Sequence, residues 1–253
     1  MKSVRSPRSA GGLAEQILRR ATLLRTLAQC FAYPDAVGKA AVGKQLQQVK
    51  PRGTRVRDLA LRRSLRSVER VWSTVSEEAL RADYARLFLG NGPCPMRETA
   101  YGDGRRVSGR PTELADIRGF YAAFGLRPSS SEPDLPDHLC SELEFCSWLL
   151  VKLAYAHVSR AAIRRAVTLR ALRSFLQDHL GRWPETFAAE LRRNDESSPY
   201  ARLAEIVAQV VRAEARRVRA SPKPTSAHSL HDPMQEEHFV CPKPHAPEEA
   251  PCA

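Results

Sequence analysis

The chain has 253 residues, of which 43% are apolar and 27% are charged. This balance is that of an ordinary globular protein and excludes collagen-like, low-complexity and wholly disordered classes. No apolar run approaches the roughly 20 residues of a membrane-spanning helix. The formal net charge of +12 is uneven, because residues 81–144 hold eight basic and ten acidic residues. Arginines on outer helix faces are therefore the simplest explanation of the charge, and nucleic-acid binding is a secondary hypothesis.

Apolar residues recur at steps of three and four along most of the chain, and strand-like alternation is absent, so the sequence predicts an all-α fold. The apolar stripes cover residues 13–31, 61–75, 80–88, 111–124, 139–157, 162–180, 183–191 and 203–210. The longer connections 90–109 and 127–135 break this pattern, and long connections inside a compact domain commonly carry function. Aspartates 134 and 137 are placed to cap and charge the start of the helix that follows.

The stripes predict a single helical-bundle domain over residues 13–220. Residues 1–12 form a basic N-terminus that we expect to be flexible. Residues 221–253 are rich in proline and histidine, and we expect a disordered tail or an arm that orders on a partner. No export signal is evident, so we expect a cytoplasmic protein whose six cysteines are mostly thiols.

Three stretches carry polar residues that suggest chemistry. The glycine-rich residues 102–109 lack the spacing of the dinucleotide fingerprint and of the Walker motif, so we interpret them as a turn. His138 and Glu142 lie four residues apart beside Asp137, which leaves a general base, a metal ligand, a pH-sensitive contact and simple helix capping all open.

The tail supplies the third stretch. His228, His231, His238 and Cys241 form two pairs with spacings that are compatible with zinc or another transition metal. Short polar tails also collect histidines by chance, so an unstructured segment is the simpler interpretation. The sequence contains no nucleophile elbow and no HExxH motif.

Several motifs occur in a fixed order. Residues 27–35 read LAQCFAYPD and residues 84–88 read YARLF; then come Pro93, Pro95, Glu98 and Tyr101, and finally Pro136-Asp137-His138 leading into Glu142-Leu-Glu-Phe. Together these blocks resemble the TorD/DmsD/NarJ family of chaperones for molybdenum-containing oxidoreductases, and the resemblance spans residues 13–215. The Pro-Asp-His loop entering a helix is its most specific part, whereas the histidine-containing tail lies outside the shared pattern.

The resemblance implies an all-helical cytoplasmic chaperone and not an enzyme. Such a chaperone binds the N-terminal leader peptide, often a twin-arginine signal, and/or the apo form of a molybdoenzyme catalytic subunit. It assists cofactor insertion and assembly before export or complex formation. The chain then needs no metal or cofactor of its own and handles the client's molybdenum cofactor at most transiently. We expect no nucleic-acid partner, no stable membrane insertion, and a monomer or a domain-swapped homodimer.

A twin-arginine leader joins two guanidinium groups to an apolar helix, so its receptor needs apolar surface beside acidic side chains. The resemblance points to nine residues for this client- and signal-peptide-binding site. The apolar contacts are Tyr84, Leu87 and Phe88, the acids are Glu98, Asp137 and Glu142, and the residues that shape the site are Tyr101, Pro136 and His138. Core packing explains Leu87 and Phe88 equally well, and a helix cap explains Asp137. A basic nucleic-acid-binding protein and a small metal-dependent enzyme remain the alternatives.

Overall fold

A computed structural model describes residues 10–49, 59–101, 110–127 and 136–225 of the chain. Over these ranges it contains helices and no strands, which confirms the all-α expectation. The helices are α1 (Ala10–Cys30), α2 (Ala36–Val49), α3 (Leu59–Thr74), α4 (Glu77–Phe88), α5 (Arg110–Ala123), α6 (Leu139–Val158), α7 (Ala162–Asp178), α8 (Pro184–Asn194) and α9 (Pro199–Val218), with one 3₁₀ turn, Glu98–Ala100, between α4 and α5.

Helices α1 and α6 pack along each other's length, and this is the most extensive helix pair of the bundle. The two helices run antiparallel, because the Ser147 hydroxyl donates to the Ala21 carbonyl at 2.8 Å while the Cys140 thiol donates to the Ala28 carbonyl at 3.2 Å. Small residues at these positions let the helices approach closely. Helix α7 returns along α6, and α9 packs against α8, α3 and α7.

Helix α2 was not predicted, because its sequence contains two glycines and its apolar positions are sparse. Among the side chains of α2 that the structure describes up to residue 47, Val42 and Leu46 are the large ones that are buried, and α2 packs against α1 and α3. Packing against those neighbours therefore offsets a weak intrinsic helix propensity.

The start of α6 also differs from the sequence prediction. The helix begins at Leu139, and His138 is its N-cap, with Nδ1 accepting a hydrogen bond from the Cys140 amide. Asp137 does not cap the helix, because its carboxylate turns into the protein and bonds Thr99 instead. Asp134 lies outside the described residues.

The ends of the bundle extend past the predicted boundaries. Helix α1 begins at Ala10, so residues 10–12 are helical. At the other end Thr225 is buried, its amide donates to the Arg182 carbonyl at 3.0 Å, and its carbonyl accepts from the Thr186 hydroxyl. Residues 1–9 and 226–253, with the histidines and Cys241 of the tail, lie outside the described residues, as does the glycine-rich stretch 102–109. None of the described helices is long and apolar enough to cross a membrane.

The turn after α7 depends on Gly181, because a Cβ atom at this position would lie 1.9 Å from the Leu176 carbonyl oxygen. We expect Gly181→Ala to lower the free energy of unfolding by about 1–3 kcal/mol, the usual cost of overpacking. Gly119 in α5 has open space around it, so Gly119→Ala should raise stability by about 0.5–1 kcal/mol. Urea unfolding of both variants checks this pair, and equal effects would contradict it.

Candidate functional site

The site forms where the loop after α4 crosses the start of α6. The Glu98 amide donates to the Asp137 carbonyl at 2.9 Å, and the Leu139 amide donates to the Met96 carbonyl at 3.0 Å. Arg97 and His138 form the isolated bridge between these two hydrogen bonds. This short antiparallel contact places both sequence motifs, residues 93–101 and 136–145, side by side.

Asp137 is fully buried in this contact. One carboxylate oxygen, Oδ2, accepts hydrogen bonds from the Thr99 hydroxyl at 2.6 Å and from the Thr99 amide at 3.3 Å. The other oxygen, Oδ1, has no hydrogen-bond partner among the described residues. Pro136 is buried beside it, and its carbonyl accepts from the Tyr121 hydroxyl at 2.7 Å.

Glu142 is buried one turn into α6, where its Oε2 accepts a hydrogen bond from the Trp183 indole nitrogen at 3.2 Å. Tyr101 stacks on the Trp183 ring with a centroid separation of 5.4 Å and an interplanar angle of 17°. The Tyr101 hydroxyl donates to the Pro95 carbonyl at 2.9 Å. The acidic and aromatic residues of the two motifs therefore meet on one tryptophan.

A second set of polar contacts connects the protein interior with the surface. Glu98 Oε2 lies 3.2 Å from His179 Nδ1, and the opposite ring nitrogen, Nε2, lies 3.0 Å from Asp116 Oδ2. Glu98 is 1% exposed, whereas the Asp116 side chain is 63% exposed. The imidazole therefore connects a buried carboxylate with a surface carboxylate.

Burial of several carboxyl groups in one place changes their protonation. Burial, reinforced by the charge of Glu98, raises the pKa of Glu142 well above its ordinary value. Burial likewise raises the pKa of Glu113 to about 7, with the Glu98 charge adding to it. For His179, burial lowers the pKa, but the hydrogen bonds and charges of Glu98 and Asp116 outweigh burial and the net pKa is raised. The cluster thus holds protons that exposed groups of the same kind would release.

The apolar members of the predicted site lie in an aromatic cluster next to these acids. Tyr84 and Phe88 are edge-to-face at 5.1 Å, and Phe88 in turn lies 6.3 Å from Phe187. The Phe187 ring is 5.7 Å from that of Trp183, so the cluster continues to the partner of Glu142. Leu87 is fully buried, as core packing requires.

The structure thus brings the predicted residues into one connected region but encloses most of them. Phe88 and His138 are half-buried, and the other seven of the nine are buried. Their role in binding a client stays a prediction. The described residues contain no group of three or more His, Cys, Asp and Glu side chains arranged to hold a metal ion, and Cys30, Cys94, Cys140 and Cys146 are free thiols.

Sequence reasoning missed the partners that hold this region in place, chiefly His179 and Trp183, with Glu113 and Asp116 at its edge. One signal was available for His179. It follows Leu172, Phe175 and Leu176 at helical spacing, and a polar residue that continues a buried stripe predicts a side chain with an internal partner. The carboxylate partners come from distant parts of the chain, so no local pattern identifies them.

Comparison with known proteins assigns the family. Residues 57–189, more than half of the chain, match the family described as nitrate reductase delta subunit, and the protein belongs to this family. The selenate reductase assembly chaperone protein of Thauera selenatis is 30% identical over 148 residues, which are 57% of this chain and 72% of that protein.

Two further relatives have similar names. The chlorate reductase assembly chaperone protein of Ideonella dechloratans is 29% identical over 150 residues, 59% of this chain and 75% of that one. The perchlorate reductase assembly chaperone protein of Dechloromonas aromatica is 33% identical over 118 residues, 47% of this chain and 52% of that one. A crystal structure from Archaeoglobus fulgidus, provisionally assigned as a redox enzyme maturation protein, covers 86% of this chain and 98% of its own at 18% identity, but its TM-score of 0.42 is too low to support an argument.

The raised pKa of Glu113 predicts a pH-dependent stability. The folded state holds a proton that the unfolded state releases near pH 4.5, so the stabilising contribution is full below that value and is lost as the pH rises through about 7. Glu113→Gln stays neutral and should flatten the fall of the unfolding free energy between about pH 5 and pH 8. Urea titrations across this range measure the slope, with Glu185→Gln, an exposed α8 glutamate that pairs with Arg212, as the control. An unchanged slope in Glu113→Gln would contradict the assignment.

Proposed function

We propose that this protein is a system-specific assembly chaperone for a molybdenum-containing oxidoreductase. It binds the N-terminal leader peptide and/or the apo form of the catalytic subunit in the cytoplasm, and it assists cofactor insertion and assembly before export or complex formation. The observation that carries this proposal is the set of relatives. Three proteins that are 29–33% identical to this chain over 118–150 aligned residues are named as assembly chaperones of selenate, chlorate and perchlorate reductases.

The acidic cluster supports a role in recognising arginine. Asp137 Oδ1 is a buried oxygen without a hydrogen-bond partner among the described residues, and the only donor between Glu98 and Glu142 is the carboxyl proton that they share. Such an unsatisfied group costs free energy, and a guanidinium with five donors satisfies it together with neighbouring carboxyl oxygens. The adjacent aromatic cluster is apolar, and its half-buried member Phe88 is the part that the hydrophobic segment of a leader helix would contact first. Both halves of a twin-arginine leader therefore have chemically matched surroundings.

The closed state of the site defines how a client reaches it. Asp116 is exposed and Glu113 is half-buried, so an approaching arginine first meets these two residues of α5. The same arginine competes with His179 for Asp116 and then for Glu98. Entry into the cluster therefore exchanges an internal ion pair for one with the client, which limits the cost of burying the incoming charge.

Charge at Asp137 is expected to matter more than its hydrogen bond. Asp137→Asn keeps an oxygen that accepts from Thr99 but removes the charge, whereas Thr99→Val keeps the charge and removes the hydroxyl bond. Truncating one partner of a buried charge pair costs about 2–5 kcal/mol. We therefore expect Asp137→Asn to capture at least about tenfold less client than wild type, and Thr99→Val to remain close to wild type.

The measurement is co-purification of the tagged full chain from its own host, grown while a molybdoenzyme is being made, with identification of the bound proteins. Capture of a molybdoenzyme catalytic subunit by wild type supports the chaperone function. Capture of nucleic acid, or of nothing, would overturn it. Equal capture by the folded Asp137→Asn variant would leave the chaperone function intact but exclude the acidic cluster as the binding site.

A further inference from the structure

From Trp148 to its end, the solvent-facing side of α6 is apolar, whereas the exposed Glu144 lies one turn earlier on the same face. Four residues at steps of three and four, Trp148, Val151, Tyr155 and Val158, are exposed by 38%, 37%, 63% and 60%. The remaining faces of the helix pack against α1 and α7. Lys152 lies beside this α6 stripe with its ammonium group 4.5 Å from the centre of the Trp148 ring. An exposed apolar stripe of this length is typical of a surface that contacts another protein or a membrane.

The beginning of α7 continues this apolar surface. Phe145 and Phe175 pack at 4.7 Å, so α6 and α7 form an antiparallel hairpin whose end is the turn between Val158 and Ala162. All residues from 162 to 167 are exposed, Ile163 by 82% and Val167 by 54%. A helix exposed on every side over six residues projects beyond the bundle. We call residues 155–167 the hairpin end.

The charges around the hairpin end have a single sign. Between residues 145 and 177 the chain has six lysine and arginine residues and no aspartate or glutamate. Farther along α7, Arg170 and Arg173 meet Arg217 and Arg219 from the end of α9 around a cavity of about 350 Å³. Its other lining residues, Leu169 and Val218, are apolar, so no carboxylate lines this arginine pocket. Arg217 also pairs with Glu214 at 3.2 Å, and the remaining guanidinium groups around one cavity still favour an anion with several oxygens.

We propose that the hairpin end and the arginine pocket together form a docking surface for a membrane that contains anionic phospholipids. Apolar residues at the tip enter the boundary between headgroups and acyl chains, a depth of about 5–10 Å for surface-bound helices. Arg170 and Arg173 lie roughly 10–15 Å from Ile163 along the helix axis, at the level of the phosphate groups. Trp148 and Tyr155 are side chains that prefer this interface.

The shape of this surface favours a bilayer over a peptide. A peptide needs a concave groove, whereas six exposed helical residues make the hairpin end convex. The basic residues near the tip, among them Arg160 and Arg164, have long side chains that extend their charged groups to the headgroups while the tip is inserted. The contact is peripheral and reversible, and it uses residues distinct from the nine of the client site. It therefore places an assembly chaperone at a membrane without a spanning helix.

Vesicle co-sedimentation of the full chain tests the proposal, with vesicles of phosphatidylcholine alone and of phosphatidylcholine mixed with phosphatidylglycerol. We expect binding only to the mixed vesicles, weakening as salt is added. Replacing Arg170 and Arg173 by glutamine should lower binding by about fivefold for each arginine, and Ile163→Asp should lower it by about tenfold or more. Two exposed positions elsewhere supply matched controls, Val37→Asp on α2 and Arg118→Gln on α5, and both should bind like wild type.

Three results would overturn the proposal. Absence of binding to the mixed vesicles would exclude a lipid partner and favour an acidic protein at this face. Equal binding by wild type and Ile163→Asp, with both proteins unfolding at the same temperature, would exclude the hairpin end. Displacement by inorganic phosphate, but not by chloride at the same ionic strength, would assign the arginine pocket to free phosphate.

Discussion

The pairing of residues 96–98 with residues 137–139 is the contact on which the candidate site depends. Two backbone hydrogen bonds join these segments, and between them they fix the directions of Glu98 and Asp137. Because Leu139 begins α6, the same contact connects the site to the helix that packs most extensively against α1. A buried carboxylate is tolerated here since Thr99, in the 3₁₀ turn after this contact, supplies two donors.

The acidic residues of this region also form hydrogen bonds with side chains of other types. Glu142 bonds a tryptophan, Glu98 bonds a histidine, the two carboxyl groups share a proton, and Asp137 keeps one oxygen that no described residue satisfies. A cluster with raised pKa values and unsatisfied oxygens is less stable than an apolar core of the same size. Retaining such a cluster is reasonable for a receptor, because a guanidinium that enters it recovers the missing hydrogen bonds. Under the proposed recognition of arginine, the same features that favour binding of the guanidinium therefore lower the stability of the folded protein.

Patterns along the chain predicted the fold better than the site. Eight of the described helices follow from apolar spacing alone, because a helix buries a continuous stripe. Helix α2 did not, since two neighbouring helices stabilise it rather than its own sequence. The motifs identified Asp137, but the alternative that it caps the helix is wrong, because its carboxylate bonds Thr99, which is 38 positions away in the chain. Trp183 and His179 reach the acids from a loop and a helix end that no local pattern connects with them.

The central claim is that this chain assembles a molybdenum-containing oxidoreductase, and the metal content of the client tests it most directly. The measurement compares the molybdenum bound to the purified catalytic subunit from host cells with and without this chain. The account predicts that the subunit lacks most of its molybdenum when the chain is absent and regains it when the wild-type chain is restored. A subunit with full metal content in cells without the chain would contradict the account.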